Sequence, residues 1–347
     1  MKRIVILSIT TLASLLPIAS AQVLPEFEDA ETSNADTPSA HEQISPFIRR
    51  IFQDNRGDLW LGTNGDGVVQ CTLAGDDTTL TYHMPHSGFG GHAVRAMLED
   101  ADGAVWFGTN GGISMYDGAS FTNYTEKDGL RCNDVWCMTL DSEGLLWIGT
   151  LEGVARFDGE TFTTFDLPAS EPDQTRGVTS PWIVHSIIED AKGRMWFAVN
   201  GGVYIWDGTA LEHLSTKDGL CHDVVNCILE SDDGTMWFAT HHNGVCAWDG
   251  ESFTHFGPEH GVQGSEAWDL FQDDMGAIWF PVEGFGLYRV RGEDVRNFSI
   301  PDGLATTAPQ STFQDRTGRI WVGGWLGLYR LDGDTFVNVT CDGPWPR

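Results

Sequence analysis

A tryptophan returns seven times at intervals of roughly 40 to 50 residues, at Trp60, Trp106, Trp147, Trp196, Trp237, Trp279 and Trp321, and a period of that length restricts the chain to propeller blades or solenoid turns. Three residues before each tryptophan stands a glycine: Gly57, Gly103, Gly144, Gly193, Gly234, Gly276 and Gly318. Six residues before it stands Asp54, Asp100, Asp141, Asp190, Asp273 or Asp315, with Ser231 in the remaining copy. Asp-x-x-Gly is tight-turn chemistry, because Asp bonds the turn backbone and Gly accepts positive φ.

Each copy reads as four short strands. An apolar strand ends at the Asp, and a second strand carries the Trp (LWLGT, VWFGT, LWIGT, MWFAV, MWFAT, IWFPV, IWVGG). A third opens at a Gly and usually closes on Asp-Gly, as at Asp117-Gly118 and Asp158-Gly159, a favoured hairpin signal. A fourth completes the sheet. Almost no helix is expected. The predicted fold is all-β, a seven-bladed β-propeller of four-stranded antiparallel blades over residues 45–340, with a C-terminal tail at 341–347. In this reading the repeated Trp residues fill the space between neighbouring blades and bind no ligand. Asp100-Ala101-Asp102-Gly103 lacks the remaining ligand spacing of a calcium loop.

The copies EDADGAVWFGTNGG, LDSEGLLWIGTLEG and FQDRTGRIWVGGWLG, with KDGL at 127–130 and 217–220 and PDGL at 301–304, resemble the two-component regulator propeller repeat, over nearly all of residues 45–340. The resemblance implies an extracytoplasmic sensing propeller, as in hybrid two-component sensors, many of which respond to carbohydrate fragments. The larger members of that family carry two rings, and this chain one. No transmembrane helix, kinase or regulator precedes Arg347, so ligand binding is the implied role and relay of a signal is expected to need a membrane sensor or surface protein as partner.

Compartment and charge agree with that expectation. Lys2 and Arg3 precede an apolar run over residues 4–16, and Ala19-Ser20-Ala21 has the small-x-small form of a signal peptidase site. Residues 1–21 are therefore read as a signal peptide, cleaved before Gln22, and residues 22–44 as a flexible acidic leader. A periplasmic or secreted location follows, with no membrane span after cleavage. With 50 acidic against 20 basic side chains and a net charge of −30, the surface repels phosphate backbones, and nucleic acid is excluded as a partner. Seven cysteines in an exported chain permit disulfides. Cys132 with Cys137 and Cys221 with Cys227 occupy corresponding loops, as local bridges or as buried thiols. No CxxC or Cys/His metal spacing is present, so neither metal nor cofactor is expected.

Candidate binding residues are found where the copies refuse to repeat. Five residues before the turn Asp or Ser231, at the head of the innermost strand, stand Arg49, Arg95, Trp136, His185, Asn226, Trp268 and Gln310. Two residues later the copies are nearly all apolar: Ile51, Met97, Met138, Ile187, Ile228, Leu270 and Thr312. Rings for stacking beside amides and guanidinium for directional hydrogen bonds are binding-site composition. A second candidate ring lies four residues after each Trp: Asn64, Asn110, Leu151, Asn200, His241, Glu283 and Trp325, where Asn is also an ordinary turn residue. Two return loops, 84–92 and 167–181, the latter with Arg176, are long enough to overhang that face.

Three functions are compatible with this pattern. The first is a non-catalytic module binding a small polar ligand, such as an oligosaccharide, at the axial funnel. The second is a propeller enzyme, a lyase or hydrolase, using His185, His222, His241, His242, Glu266 or Glu283 as acid and base, against which stands the lack of any nucleophile motif. The third is a platform for another protein.

Overall fold

The indole N–H of each repeated tryptophan explains the six-residue spacing. In the computed structural model, which describes residues 43–74 and 77–345, it donates to the turn aspartate, from Trp60 to Asp54 Oδ2 at 2.9 Å, from Trp147 to Asp141 at 2.7 Å and from Trp279 to Asp273 at 2.7 Å. The other carboxylate oxygen accepts turn amides, as Asp100 Oδ1 does from Asp102 and Ala104 at 3.0 and 2.9 Å, and Gly103 completes the turn at φ 82°. One side chain thus closes the hairpin and satisfies a buried indole through a charge-assisted bond. In the exceptional copy Trp237 reaches Ser231 Oγ at 3.3 Å, and Asp233 takes over the turn amide of Thr235 at 3.0 Å.

Seven four-stranded antiparallel sheets follow one another along the chain, each with its strands in sequence order. Blade 1 comprises Ile48–Gln53, Leu59–Thr63, Val68–Ala74 and Asp77–His83. The inner strands of blades 2 to 7 are Val94–Glu99, Val135–Leu140, Val184–Glu189, Val225–Glu230, Phe271–Gln272 and Pro309–Gln314. Among the described residues the only helical segments are four three-residue 3-10 turns. This is the seven-bladed propeller read from the repeat.

The core lies between blades. Trp60 packs with Val94 and Phe107 of blade 2, and Trp279 with Ile320, Val322 and Tyr329 of blade 7, so the repeated tryptophans do fill the inter-blade space. The Gly or Ala two places after every repeated Trp but Trp279, where Pro281 stands, lets the next inner strand approach. A Cβ on Gly149 would stand 3.1 Å from Val184 and closer still to the Cys137 sulfur. The Asp-Gly-Leu loops supply plugs: Gly129 turns at φ 106° and drives the buried Leu130 between blades 2 and 3. The ring closes without a covalent link, as Ile44 and Ile48 join Trp321, Leu328 and Val339 in one apolar cluster and Gln43 pairs with Thr340. Gln43 and Ile44, read as the end of the leader, are thus buried in the ring. The signal peptide and the leader up to residue 42 lie outside the described residues.

All seven cysteines are free. Of the two alternatives for the loop pairs, the structure has the thiols. Cys137 is buried against Val184 O, and Cys221 sits beside Cys246 and Thr240, where each fills apolar space as a small hydrophobe.

Candidate functional site

A β-bulge aims the first candidate ring at the axis. In blade 2, Val94 pairs with Thr109 and Ala96 with Gly108, leaving Arg95 as the extra residue. The same slip falls on Arg49, Trp136, His185, Asn226 and Gln310 in blades 1, 3, 4, 5 and 7. A bulged residue leaves the ladder and its side chain is re-aimed. In blade 6 the break is longer: Ala267 bridges Val282, and pairing resumes only at Phe271. Pro281 stands in the intervening stretch of the partner strand and has no amide hydrogen to give, and Trp268 falls in the gap.

All seven converge. Arg49, Arg95, Trp136, His185, Asn226, Trp268 and Gln310 line one cavity of about 60 Å³ at the mouth of the central channel, joined by Arg50 and by Arg176 from the 167–181 loop. Below it the channel widens to about 310 Å³ and is walled by the apolar ring that includes Ile51, Met97, Ile187 and Leu270. The mouth has room for several waters or one small terminal group of a ligand.

Its side chains hold each other. The Arg95 guanidinium lies 4.6 Å from the Trp136 ring centre and pairs with Asp134. Trp136 meets His185 edge-on at 5.7 Å, and His185 Nε2 lies 2.9 Å from Asn200 Oδ1. Arg176 donates to Asn226 Oδ1 at 2.7 Å and stands 5.5 Å over Trp268, whose indole donates to Glu283 at 2.8 Å. Deeper in the channel, Arg50 of blade 1 pairs with Asp269 of blade 6 at 2.8 Å.

Four arginines therefore meet at the mouth of a strongly acidic molecule. Asp269 and Asp134 neutralise Arg50 and Arg95, whereas Arg49 and Arg176 form no ion pair among the described residues. Burial pulls Arg49 and Arg176 down to about 10, with the Arg95 charge adding to the effect at Arg49. Both stay charged at neutral pH, so the mouth is a cationic point aimed at solvent.

His185 is neutral there. Burial first, and the Arg176 charge second, push it down to about 3 from an ordinary value of 6.5. Between those values the unfolded chain binds a proton that the folded chain refuses, so stability rises with pH through this window and is lost as pH falls below 6.5. At pH 5 this one residue costs about 2 kcal/mol. The urea midpoint of the wild type should therefore drop more steeply from pH 7 to pH 5 than that of His185→Gln, and parallel slopes would contradict a buried neutral ring.

The second candidate ring does not line the mouth. The backbone N–H groups of Asn64, Leu151, His241 and Glu283 donate to Phe47, Asp134, Val224 and Glu266, tying each loop to the head of an inner strand. Side chains there mostly buttress: Asn200 holds His185, Glu283 holds Trp268, and Asn110 caps the amides of His92 and Ala93. Trp325 stacks on Phe47 at 4.8 Å and is 47% exposed. Of the long loops, 167–181 alone delivers a side chain to the mouth, Arg176. Sequence reading put neither Arg176 nor Arg50 in the ring. Arg50 sits where other copies have Ala96, Cys137, Ser186, Cys227, Asp269 and Ser311, and its being the odd basic residue there was the signal available.

The histidines read as alternative acid–base groups cluster on the same face. His241, His242, His222 and Glu266 gather beside Asp173: His242 Nε2 is 2.8 Å from Asp173 Oδ2 and His241 Nδ1 is 3.0 Å from Glu266 Oε1. His185 stands apart, with an amide and not a carboxylate for a partner.

Comparison with known proteins agrees with this architecture. Solved structures similar to the chain include the extracellular domains of two hybrid two-component systems from B. thetaiotaomicron, 16% and 18% identical with TM-scores of 0.48 and 0.47, covering 89% and 87% of this chain and 50% and 53% of those. The chain thus spans about half of their length. PorZ, a surface component of the type-IX secretion system of Porphyromonas gingivalis, is 15% identical with a TM-score of 0.62, over 85% of this chain and 48% of that one. Virginiamycin B lyase of Staphylococcus aureus is 16% identical with a TM-score of 0.61, over 84% and 95%. At such identities PorZ and the lyase share the fold. No curated protein sequence matches. The sequence model described as two component regulator propeller matches residues 42–65, 88–111, 129–152 and 219–242, each spanning an inner strand and the Trp strand after it, so that four of the seven repeats match the two-component regulator propeller model.

Proposed function

We propose that the axial mouth binds a polar ligand carrying an anionic group, with an acidic oligosaccharide fragment as the class that fits, and that the chain performs no chemistry on it. The observation that carries this reading is the convergence of the seven non-repeating residues on one mouth, with two arginines left without a carboxylate. A carboxylate entering there meets Arg49 and Arg176, while sugar faces stack on Trp136 and Trp268. The match of four repeats to the two-component regulator propeller model supports a sensing role outside the cytoplasm, and the N-terminal segment supports export. Among the described residues no helix is long and apolar enough to cross a membrane.

The test is a titration of intrinsic tryptophan fluorescence with matched neutral and uronate-bearing oligosaccharides. Saturable binding of the acidic series is expected, weakened at least tenfold, about 1.4 kcal/mol, in Trp136→Ala and Trp268→Ala. Arg49→Ala and Arg176→Ala should erase the preference for acidic over neutral sugars. A response that survives all four substitutions would remove the site.

A second reading, a docking face for a surface protein, is favoured by Trp182, Phe285 and Trp325, all more than 40% exposed at the heads of blades or in the loops between second and third strands.

A further inference from the structure

The group of Asp173, His241 and His242 has a composition that neither the fold nor the mouth requires. The two histidines follow the Trp strand of blade 5, Met236–Thr240, and Asp173 arrives from the 167–181 loop between blades 3 and 4. One donor atom from each comes within 4.8 Å of the others. Thr175 Oγ1 donates to Asp173 Oδ1 at 2.7 Å and fixes the carboxylate, as outer partners of ligands do. His241 is only 9% exposed, and its buried Nδ1 faces Glu266 at 3.0 Å without the alignment of a hydrogen bond. A polar atom left in that state is costly unless something else engages it.

We infer that Asp173, His241 and His242 bind a divalent transition-metal ion of the zinc type, with Glu266 as fourth donor, and that the ion pins the 167–181 loop over the axial mouth. Two imidazoles with carboxylates suit zinc, cobalt or nickel and disfavour magnesium and calcium, which seek all-oxygen shells. The ion would stand between His242 and Asp173 and engage the buried His241 Nδ1 that now lacks a hydrogen-bond partner. Only two residues separate Asp173 from Arg176, which donates to Asn226 in the mouth. Fixing the first restricts the second, so ion occupancy sets whether Arg176 is presented to a ligand. The inference does not depend on what the mouth binds.

The test uses untagged protein stripped with a chelator and titrated with zinc chloride in a calorimeter. One ion per chain is expected, bound at least tenfold more weakly by His242→Ala and by Asp173→Asn and undisturbed by excess magnesium. The far-ultraviolet dichroism of each variant reports folding, and His242→Gln stands in for any variant that fails to fold. Trypsin cutting after Arg176 reads the loop: zinc should slow it severalfold in the wild type and leave it unchanged in Asp173→Asn. Absence of zinc binding, or affinity equal in wild type and variants, would overturn the site. Binding that leaves the cut at Arg176 as fast as before would overturn the latch.

Discussion

Trp279→Ala is expected to cost about 4 kcal/mol of folding stability. The ring is 2% exposed, stacks on Phe298 at 5.5 Å and packs across to Ile320 and Tyr329 of the next blade. Its removal empties an inter-blade space that a closed ring cannot collapse. The same change also strips Asp273 Oδ2 of its indole donor. Trp279→Phe separates the two effects, since most of the packing stays and the charge-assisted bond goes, for about 2 kcal/mol. The corresponding Trp237→Phe should cost about 1 kcal/mol, because the bond lost there runs to the neutral Ser231 Oγ at 3.3 Å. Urea titrations of the four proteins check this. Equal losses for the two phenylalanine variants would show that the Asp–Trp link adds nothing beyond geometry.

The second large effect is expected in the channel, where Arg50→Met should cost about 3 kcal/mol. Asp269 is 4% exposed, and without Arg50 it would keep only the Thr312 amide at 3.3 Å and the weak Cys227 thiol contact. The penalty comes from stranding a charge more than from losing an attraction. Accordingly Arg50→Met combined with Asp269→Leu should be more stable than Arg50→Met alone, and a double-mutant cycle in urea measures the coupling. About a third of the Arg50 side chain faces the channel lumen, 36% exposed, which places the expectation at the low end of the range for buried pairs. If the single variant lost nothing, water in the channel would be solvating Asp269 and the pair would be dispensable.

The architecture was legible because its determinants are local. Asp, Gly and Trp at fixed spacing encode a turn, its amide acceptor and an inter-blade wedge within seven residues, and the family matches fall on those segments. The mouth was legible by contrast: a slot holding Arg, Trp, His, Asn and Gln in equivalent places cannot be doing one structural job. What escaped depends on partners distant in the chain. The bulge that turns Arg95 inward is a property of how Val94 and Ala96 pair with Thr109 and Gly108 and leaves no mark on the strand itself. Arg50 and Asp269 are 219 residues apart, and only their standing as the charged residues at one repeat position links them in the sequence. Asp173 reads as one carboxylate among 50 acidic residues until the loop sets it against His242. The residues after each Trp were read as a second lining ring, yet their backbones tie loops to strands, and Asn200 and Glu283 prop up His185 and Trp268 of the first.

Because the inner strands break register at their heads, one position per blade around the mouth is released from pairing in its sheet. Exchange at those places leaves the ladder bonds of the sheets untouched, while the wedge and clip beneath hold the frame. Seven such positions around one opening work like the tumblers of a lock, each reset without recutting the barrel. A scaffold of this kind can vary the lining of its opening without rebuilding the blades that carry it.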